Sequence, residues 1–326
     1  MHVPSYSDVE TAARRIAGHA VKTPLIESTL LNDLTGGRVF LKAECLQRTG
    51  SFKFRGAYNA ISRLAQETDQ RAVLAVSSGN HAQGIAEAAR LLDFSATIIM
   101  PADAPTIKMD RTRRAGATIV EYDRYSQDRE ELAHKIEKET GAALVHPYDN
   151  FDVIAGQGTV GMESAAWFKE QGLTCDRALV CAGGGGLMSG VLIGMRDAFP
   201  DIAVHPVEPE HYDDHRRTIE TGEICDADIS RPSVCDAILA PRPGKFAHAM
   251  GKGELAPGLV ITDQQALDAV AFAFRELKLV VEPGGAAALA ALLSGAIDIK
   301  GETVMATLSG GNIDEAMMAS ALSGDG

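Results

Sequence analysis

Ser51-Phe52-Lys53-Phe54-Arg55-Gly56-Ala57 sets a lysine between an aromatic residue and a small-residue turn that opens a helix. An ammonium near a helix N-terminus meets the partial positive charge of the backbone dipole, which disfavours protonation. An amine held partly unprotonated can attack an aldehyde carbon covalently. A solvated lysine at an ordinary helix start shares this local pattern, so the heptapeptide needs support from the rest of the chain.

Three more segments give that support. Ser77-Ser78-Gly79-Asn80-His81 follows the apolar run Ala72 to Val76. Gly183-Gly184-Gly185-Gly186-Leu187 follows the strand-like Ala178 to Cys181 and precedes a helical pattern. Leu308-Ser309-Gly310-Gly311-Asn312 follows Val304 to Thr307. Glycines at a strand-to-helix junction let several backbone N–H groups converge on one anion, and the helix dipole adds to the attraction. In order and spacing the four segments resemble those of fold-type II pyridoxal-phosphate enzymes, in the group that includes serine racemase, serine/threonine dehydratase and 3-hydroxyaspartate dehydratase. The resemblance runs over essentially the whole chain.

Composition is consistent with this. The 326 residues suit two domains sharing a cleft, and 45% hydrophobic with 23% charged residues describes a globular chain. A net charge of −13 argues against a nucleic-acid surface, and an anionic substrate would need a local cationic pocket. No apolar run approaches the ~20 residues of a membrane span, and the N-terminus has no signal-peptide pattern. The five cysteines are scattered with no CxxC, which fits reduced thiols in a cytoplasmic enzyme better than a disulfide framework or zinc ribbon.

Short β-branched runs alternate with amphipathic stretches. Strands are expected at Val39–Leu41, Ala72–Val76, Ala96–Met100, Thr118–Tyr122, Ala143–His146, Arg177–Cys181, Ala203–Glu208 and Val304–Leu308. Helices are expected at Ser7–Ala17, Ala57–Gln66, His81–Leu92, Lys108–Ala115, Asp128–Thr140, Val160–Glu170, Asp263–Leu279 and Gly285–Ser294. This alternation points to an α/β fold with parallel sheets covered on both faces. The resemblance implies the tryptophan synthase β-like arrangement of two three-layer αβα domains. Residues 1–65 plus 151–326 would form the large cofactor-binding domain and residues 66–150 the small one. Gly156-Gln157-Gly158-Thr159-Val160-Gly161 also matches the GxGxxG dinucleotide pattern. Little strand character precedes it, Asp152 reads as a helix cap, and Asp176 at the ribose distance lies in a loop, so a nicotinamide site is a remote reading. No P-loop lysine follows any glycine run, which disfavours a nucleotide triphosphatase.

The resemblance implies roles residue by residue. Lys53 would hold pyridoxal 5'-phosphate and, once freed, act as general base at Cα. Phe52 would pack on the ring, Asn80 would bond its phenolate-like oxygen, and Gly183 to Gly186 with Leu187 would surround the phosphate. Glu282 would lie near the ring, and Ser309 would face its nitrogen. A hydroxyl there leaves the nitrogen largely unprotonated, favouring prompt loss of a β-leaving group over transamination. Ser77, Ser78, Asn80 and His81 would receive the α-carboxylate, with His81 open to reading as a helix cap. Ser78 also implies a second acid/base, as in serine racemases and 3-hydroxyaspartate dehydratases. Arg129 would contact a distal carboxylate, a pairing suited to a guanidinium; a solvated arginine paired with Asp128 or Glu130 is the alternative. Likeness in Tyr122-Asp123-Arg124-Tyr125 and Pro147-Tyr148-Asp149 adds weight to the hydroxyaspartate branch.

Glu208 and Asp214, with the Tyr212 carbonyl, resemble the oxygen ligands of a divalent cation, Mg²⁺ or else Mn²⁺ or Ca²⁺. Departures fall at Ser233-Val234-Cys235-Asp236-Ala237 and the unusual stretch that follows it, where Arg242 or Lys245 could replace Arg129 as the carboxylate partner. The expected activity is dehydration of 3-hydroxyaspartate to iminosuccinate, hence oxaloacetate and ammonia, by a homodimer. Serine racemase with serine/threonine dehydratase activity is the alternative.

Overall fold

The computed structural model describes residues 2–104, 106–123 and 126–324, without the side chains of 106–108 and 130. Arg124 and Tyr125 of the likeness noted above, and the Glu130 side chain, lie outside the described residues.

Among the described residues ten strands form two sheets. In chain order they are β1 (Leu25–Glu27), β2 (Arg38–Ala43), β3 (Ala72–Val76), β4 (Ser95–Pro101), β5 (Thr118–Tyr122), β6 (Ala143–Leu144), β7 (Arg177–Cys181), β8 (Ala203–Pro209), β9 (Leu259–Ile261) and β10 (Thr303–Leu308). The six-stranded sheet runs β1-β2-β10-β7-β8-β9 and the four-stranded sheet β5-β4-β3-β6. Only the β1–β2 pair is antiparallel.

Parallel strands need cover on both faces, so their side chains are apolar at successive positions. Val304, Ala306 and Leu308 of β10 enter one apolar cluster and Met305 enters another. In β3, Val73 and Ala75 divide from Leu74 in the same way. The eight expected strands all form. The short β1 and β9 lie outside the expected set, because three residues carry too little periodicity to register.

Helix boundaries differ in instructive places. The helix expected at Val160 begins nine residues earlier, at Phe151, and runs to Glu170. Its cap is Asn150, whose Oδ1 accepts the Val153 N–H at 3.0 Å, rather than Asp152. The GxGxxG run therefore lies inside a helix. Its glycines give close approach to the Gly186–Arg196 helix: a Cβ on Gly190 would come within 2.5 Å of the Gly158 nitrogen. The helix expected over Asp263–Leu279 is α-helical only to Phe272 and ends in a π-turn at Ala273–Leu277.

The Lys53–Glu67 helix is anchored by a buried ion network that no local pattern announces. Arg55 is fully buried. Its guanidinium meets Glu44, also fully buried, through Nε–Oε2 and Nη2–Oε1 contacts of 2.8 Å. It meets Glu163 through contacts of 2.7 and 2.9 Å. Lys42 completes the network, donating to Glu163 at 2.7 Å and to the Thr23 carbonyl at 2.8 Å, while the Thr23 hydroxyl bonds Glu44. Two cations face two carboxylates, so the cluster is neutral overall, and the bidentate forks favour this geometry.

Candidate active site

Parallel strands deliver their C-terminal turns to one edge of a sheet, and ligands bind there in open α/β folds. Here the turns after β3, β7 and β10 line or border a cavity of about 710 Å³. Lys53 sits at the N-terminus of its helix, half-buried, with Nζ donating to the Pro147 carbonyl at 2.9 Å and lying 5.1 Å from the Phe52 ring centroid. Burial lowers its pKa to about 8, against the opposing pull of the Glu282 carboxylate.

The turn after β3 carries Ser77, Ser78 and Gly79, and Asn80 opens the next helix, which ends at Leu91. All four residues line the cavity. Asn80 is held at both ends of its amide. Its Nδ2 donates to Glu282 Oε1 at 2.7 Å, and its Oδ1 accepts from Asn312 Nδ2 at 2.7 Å. Asn312 in turn donates to the Thr49 carbonyl at 2.8 Å. An amide nitrogen carries two hydrogens, so Asn80 has a second N–H left to give. The His81 imidazole does not cap the helix. Its Nε2 meets the Val145 carbonyl at 2.9 Å, the residue is 2% exposed, and burial lowers its pKa to about 3. The neutral ring therefore ties the helix to the chain after β6.

The turn after β7 brings Gly183 to Gly186 to the same cavity, with Leu187 buried against the core beneath. Gly185 has φ +89°, a left-handed conformation that caps the Gly186–Arg196 helix and favours glycine. The Tyr148 ring lies over Gly184 and stacks edge-on against His146, 4.6 Å between centroids. Glu282 occupies the position just before the Pro283–Leu293 helix, without a side-chain cap bond to it, and is 8% exposed. Gly310 passes so close to Glu282 Oε1 that a side chain there has no room. Ser309 is 4% exposed at the end of β10. Its carbonyl accepts the Phe52 N–H at 3.1 Å and its N–H donates to Gly285 O at 3.0 Å.

Arg129 begins the Arg129–Thr140 helix and lines the cavity, as do Tyr122, Gln127 and Asp128. The alternatives Arg242 and Lys245 are not brought there. Arg242 pairs with Asp226 at 3.0 Å with both side chains about 60% exposed, and Lys245 is exposed. Pro241, Ala240, Leu239 and Ile238 form that wall instead. Asn312, Tyr148 and Arg111 are lining residues that the sequence reading did not single out. Asn312 and Tyr148 stand in stretches already noted, whereas Arg111 carries no local signal.

Glu208 at the end of β8 and Asp214 and His215 at the start of the following helix present ligand atoms within 4.8 Å of one another, all buried. Glu208 accepts the backbone N–H groups of His215 at 2.7 Å and Arg216 at 2.8 Å. Asp214 Oδ2 is buried without a hydrogen-bond partner. Burial, then the neighbouring Asp214, raises the Glu208 pKa, and burial raises Asp214 to about 7. Tyr212 stands in the intervening turn, its hydroxyl bonded to the Arg231 carbonyl at 3.0 Å. His215 Nε2 meets Gly183 O at 2.6 Å, linking this cluster to the glycine turn.

A family model described as "Pyridoxal-phosphate dependent enzyme" matches residues 16–310. The chain is 41% identical over 324 residues to an L-threo-3-hydroxyaspartate ammonia-lyase of Pseudomonas sp, covering 99% of this chain and 100% of that one. It is 38% identical to a serine racemase of Schizosaccharomyces pombe, covering 96% and 95%. Among solved structures, the T.th. threonine deaminase superposes with a TM-score of 0.90 at 40% identity, covering 95% of this chain and 99% of that one.

Proposed function

Because this chain belongs to the pyridoxal-phosphate dependent enzyme family, we propose that it removes water from 3-hydroxyaspartate, giving iminosuccinate and thence oxaloacetate and ammonia. The observation that carries the choice of substrate is Arg129, a guanidinium lining the same cavity as Lys53 and the Ser77–Asn80 turn. A neutral turn rich in N–H and hydroxyl donors suits the α-carboxylate, and a guanidinium suits a second carboxylate. The name of the Pseudomonas relative makes L-threo the first isomer to test.

The residues present fit the family's cofactor. A glycine turn at a helix N-terminus suits its phosphate, an amine lowered to about 8 suits covalent attachment, and Asn80 retains an N–H for its phenolate-like oxygen. We assign Phe52, Lys53, Asn80, Gly183–Gly186, Leu187, Glu282 and Ser309 to that group. Bound there, pyridoxal phosphate withdraws electrons from the substrate Cα and makes its C–H acidic. Lys53 Nζ, with its depressed pKa, takes the Cα proton. Ser77, Ser78, Asn80 and the backbone amide of His81 hold the α-carboxylate. The Asn312–Asn80–Glu282 chain keeps the Asn80 amide in one orientation. Ser309 supplies a hydroxyl where a carboxylate would strengthen the electron sink. The apolar wall Ile238–Leu239 restricts water.

Ser78 favours the alternative, serine racemase with L-serine/L-threonine dehydratase activity. A second proton-exchanging group in the cavity is what racemisation requires, and the S. pombe relative bears the name serine racemase.

Glu208 and Asp214 suit a hard divalent cation, Mg²⁺, Mn²⁺ or Ca²⁺. Two buried carboxyls side by side, one with an unbonded oxygen, support that reading, and the Tyr212 carbonyl completes the proposed ligand set. The two sheets support a large domain of residues 1–65 and 151–326 and a small one of 66–150. The homodimer and cytoplasmic location expected above remain part of this proposal, and light scattering tests the former. No described helix is long and apolar enough to cross a membrane.

The deciding experiment is kcat/KM for the four 3-hydroxyaspartate isomers beside L-serine, D-serine and L-threonine, with pyridoxal phosphate and Mg²⁺ supplied. A strong preference for one hydroxyaspartate isomer is expected. Equal or better turnover of serine or threonine replaces this reading with the racemase/dehydratase one.

A further inference from the structure

Resting on the hydroxyaspartate reading, we propose that Arg111 is a second substrate-binding cation, sharing the distal carboxylate with Arg129. The Thr106–Arg114 helix carries three arginines in its last turn. Two are spent on the surface. Arg113 pairs with Asp110 at 3.4 Å and Glu121 at 3.1 Å, and Arg114 donates to the Asp110 carbonyl at 3.4 Å. Arg111 differs from both. It is half-buried, its neighbour Thr112 is fully buried, and it lines the cavity that holds Lys53. Among the described residues no carboxylate pairs with it.

A partly desolvated guanidinium without an internal anion is costly unless a ligand supplies one. The charges around the cavity show which ligand fits. Its cations are Lys53, Arg111 and Arg129, and its carboxylates are Asp128, Asp236 and Glu282. Glu282 is committed to Asn80. Arg111 and Arg129 stand on the helices that follow β4 and β5, both attached to the four-stranded sheet. The Ile238–Pro241 wall, from the other part of the chain, contributes no charge. A dicarboxylic amino acid therefore has neutral donors for its α-carboxylate and two guanidiniums for the distal one. Serine or threonine offers Arg111 no anion. Selectivity by charge then resides in a pair of arginines rather than in Arg129 alone.

The test uses the purified holoenzyme and compares wild type with Arg111→Ala, Arg111→Lys, Arg129→Ala and the surface control Arg113→Ala. Two quantities are read: the ratio of kcat/KM for L-threo-3-hydroxyaspartate to that for L-serine, and the affinities for succinate and butyrate from the visible absorbance of the bound cofactor. Arg111→Ala is expected to lower the ratio roughly 10- to 100-fold, chiefly through KM, and to weaken succinate much more than butyrate. Arg111→Lys should recover part of the loss, and Arg113→Ala should leave the ratio unchanged. Thermal melts and cofactor absorbance identify a misfolded variant, in which case Arg111→Lys and Arg111→Gln carry the comparison. If Arg111→Ala keeps both the ratio and succinate affinity within twofold of wild type while Arg129→Ala loses them, the second-cation proposal is overturned and the hydroxyaspartate reading stands. If wild type turns over L-serine as well as every hydroxyaspartate isomer, both fall together.

Discussion

Replacing Arg55 with leucine removes the guanidinium that stands between two carboxylates two residues beyond Lys53. Glu44 and Arg55 are both fully buried, so no solvent can take over the lost contacts. The cluster passes from two cations and two anions to one cation, Lys42, and two anions, Glu44 and Glu163. Leaving a buried charge without its partner costs about 3–5 kcal/mol.

The pH dependence carries the sign. In the native protein burial acts to raise the Glu44 pKa, but Arg55, with Lys42 and the Thr23 hydroxyl, more than offsets it and holds the carboxyl below its usual range. Glu44 then contributes stability above the unfolded-state pKa of about 4.3, and that contribution is lost as pH falls through the folded value. In the variant the burial effect prevails and the folded pKa rises above the unfolded one. The deficit relative to wild type should therefore be smallest near pH 5. It should grow by up to about 1.4 kcal/mol per pH unit until the new folded pKa is passed. Denaturant unfolding from pH 5 to 8 measures this. The single tryptophan, Trp167, stands one helical turn from Glu163 and reports on this region. A deficit below about 1 kcal/mol at pH 8, or one flat across the range, would refute the assignment of this cluster as a charge-balanced anchor.

Cofactor uptake by the apoenzyme should accelerate as pH rises through about 8, the depressed value of Lys53, because the neutral amine is the attacking form. Stopped-flow absorbance measures it, and a midpoint above about 9.5 would contradict the burial argument. Lys53→Ala should abolish turnover while leaving the fold intact by circular dichroism; retained turnover defeats its role as base. Gly310→Ala should weaken cofactor binding at least tenfold, since any side chain there pushes Glu282 away from Asn80; equilibrium dialysis checks this, and unchanged affinity shows the network to be dispensable. Chelation should lower the melting temperature by several degrees, with Mg²⁺ restoring it and Asp214→Asn abolishing the response. A melt insensitive to chelator argues against a cation at Glu208 and Asp214.

Much of the fold is legible in local pattern. Short, largely apolar runs flanked by turn residues locate β3, β7 and β10, because a strand covered on both faces has to be apolar at most positions. The glycine run at 183–186 marks a strand-to-helix junction because few other residues take the backbone shape seen at Gly185. Sequence and structure part where tertiary contact overrides local preference. The start of the Phe151–Glu170 helix is hidden because its glycines weaken helical propensity, and packing against the Gly186–Arg196 helix compensates.

What the sequence determined by itself was the set of chemical parts: a lysine at a helix start, donor-rich turns after strands, a glycine turn and an acidic turn. Each depends on residues within a few positions of one another, where backbone sterics and hydrogen bonding act directly. Only the tertiary structure decided which parts meet. Asn80 and Glu282 are 202 residues apart in sequence, and Arg55 and Glu163 are 108 apart. Arg111 entered the cavity, whereas Arg242 stayed on the surface with Asp226. These outcomes follow from the order of strands in two sheets and from which faces had to be buried. A charged side chain's neighbours across such distances leave no periodic trace along the chain.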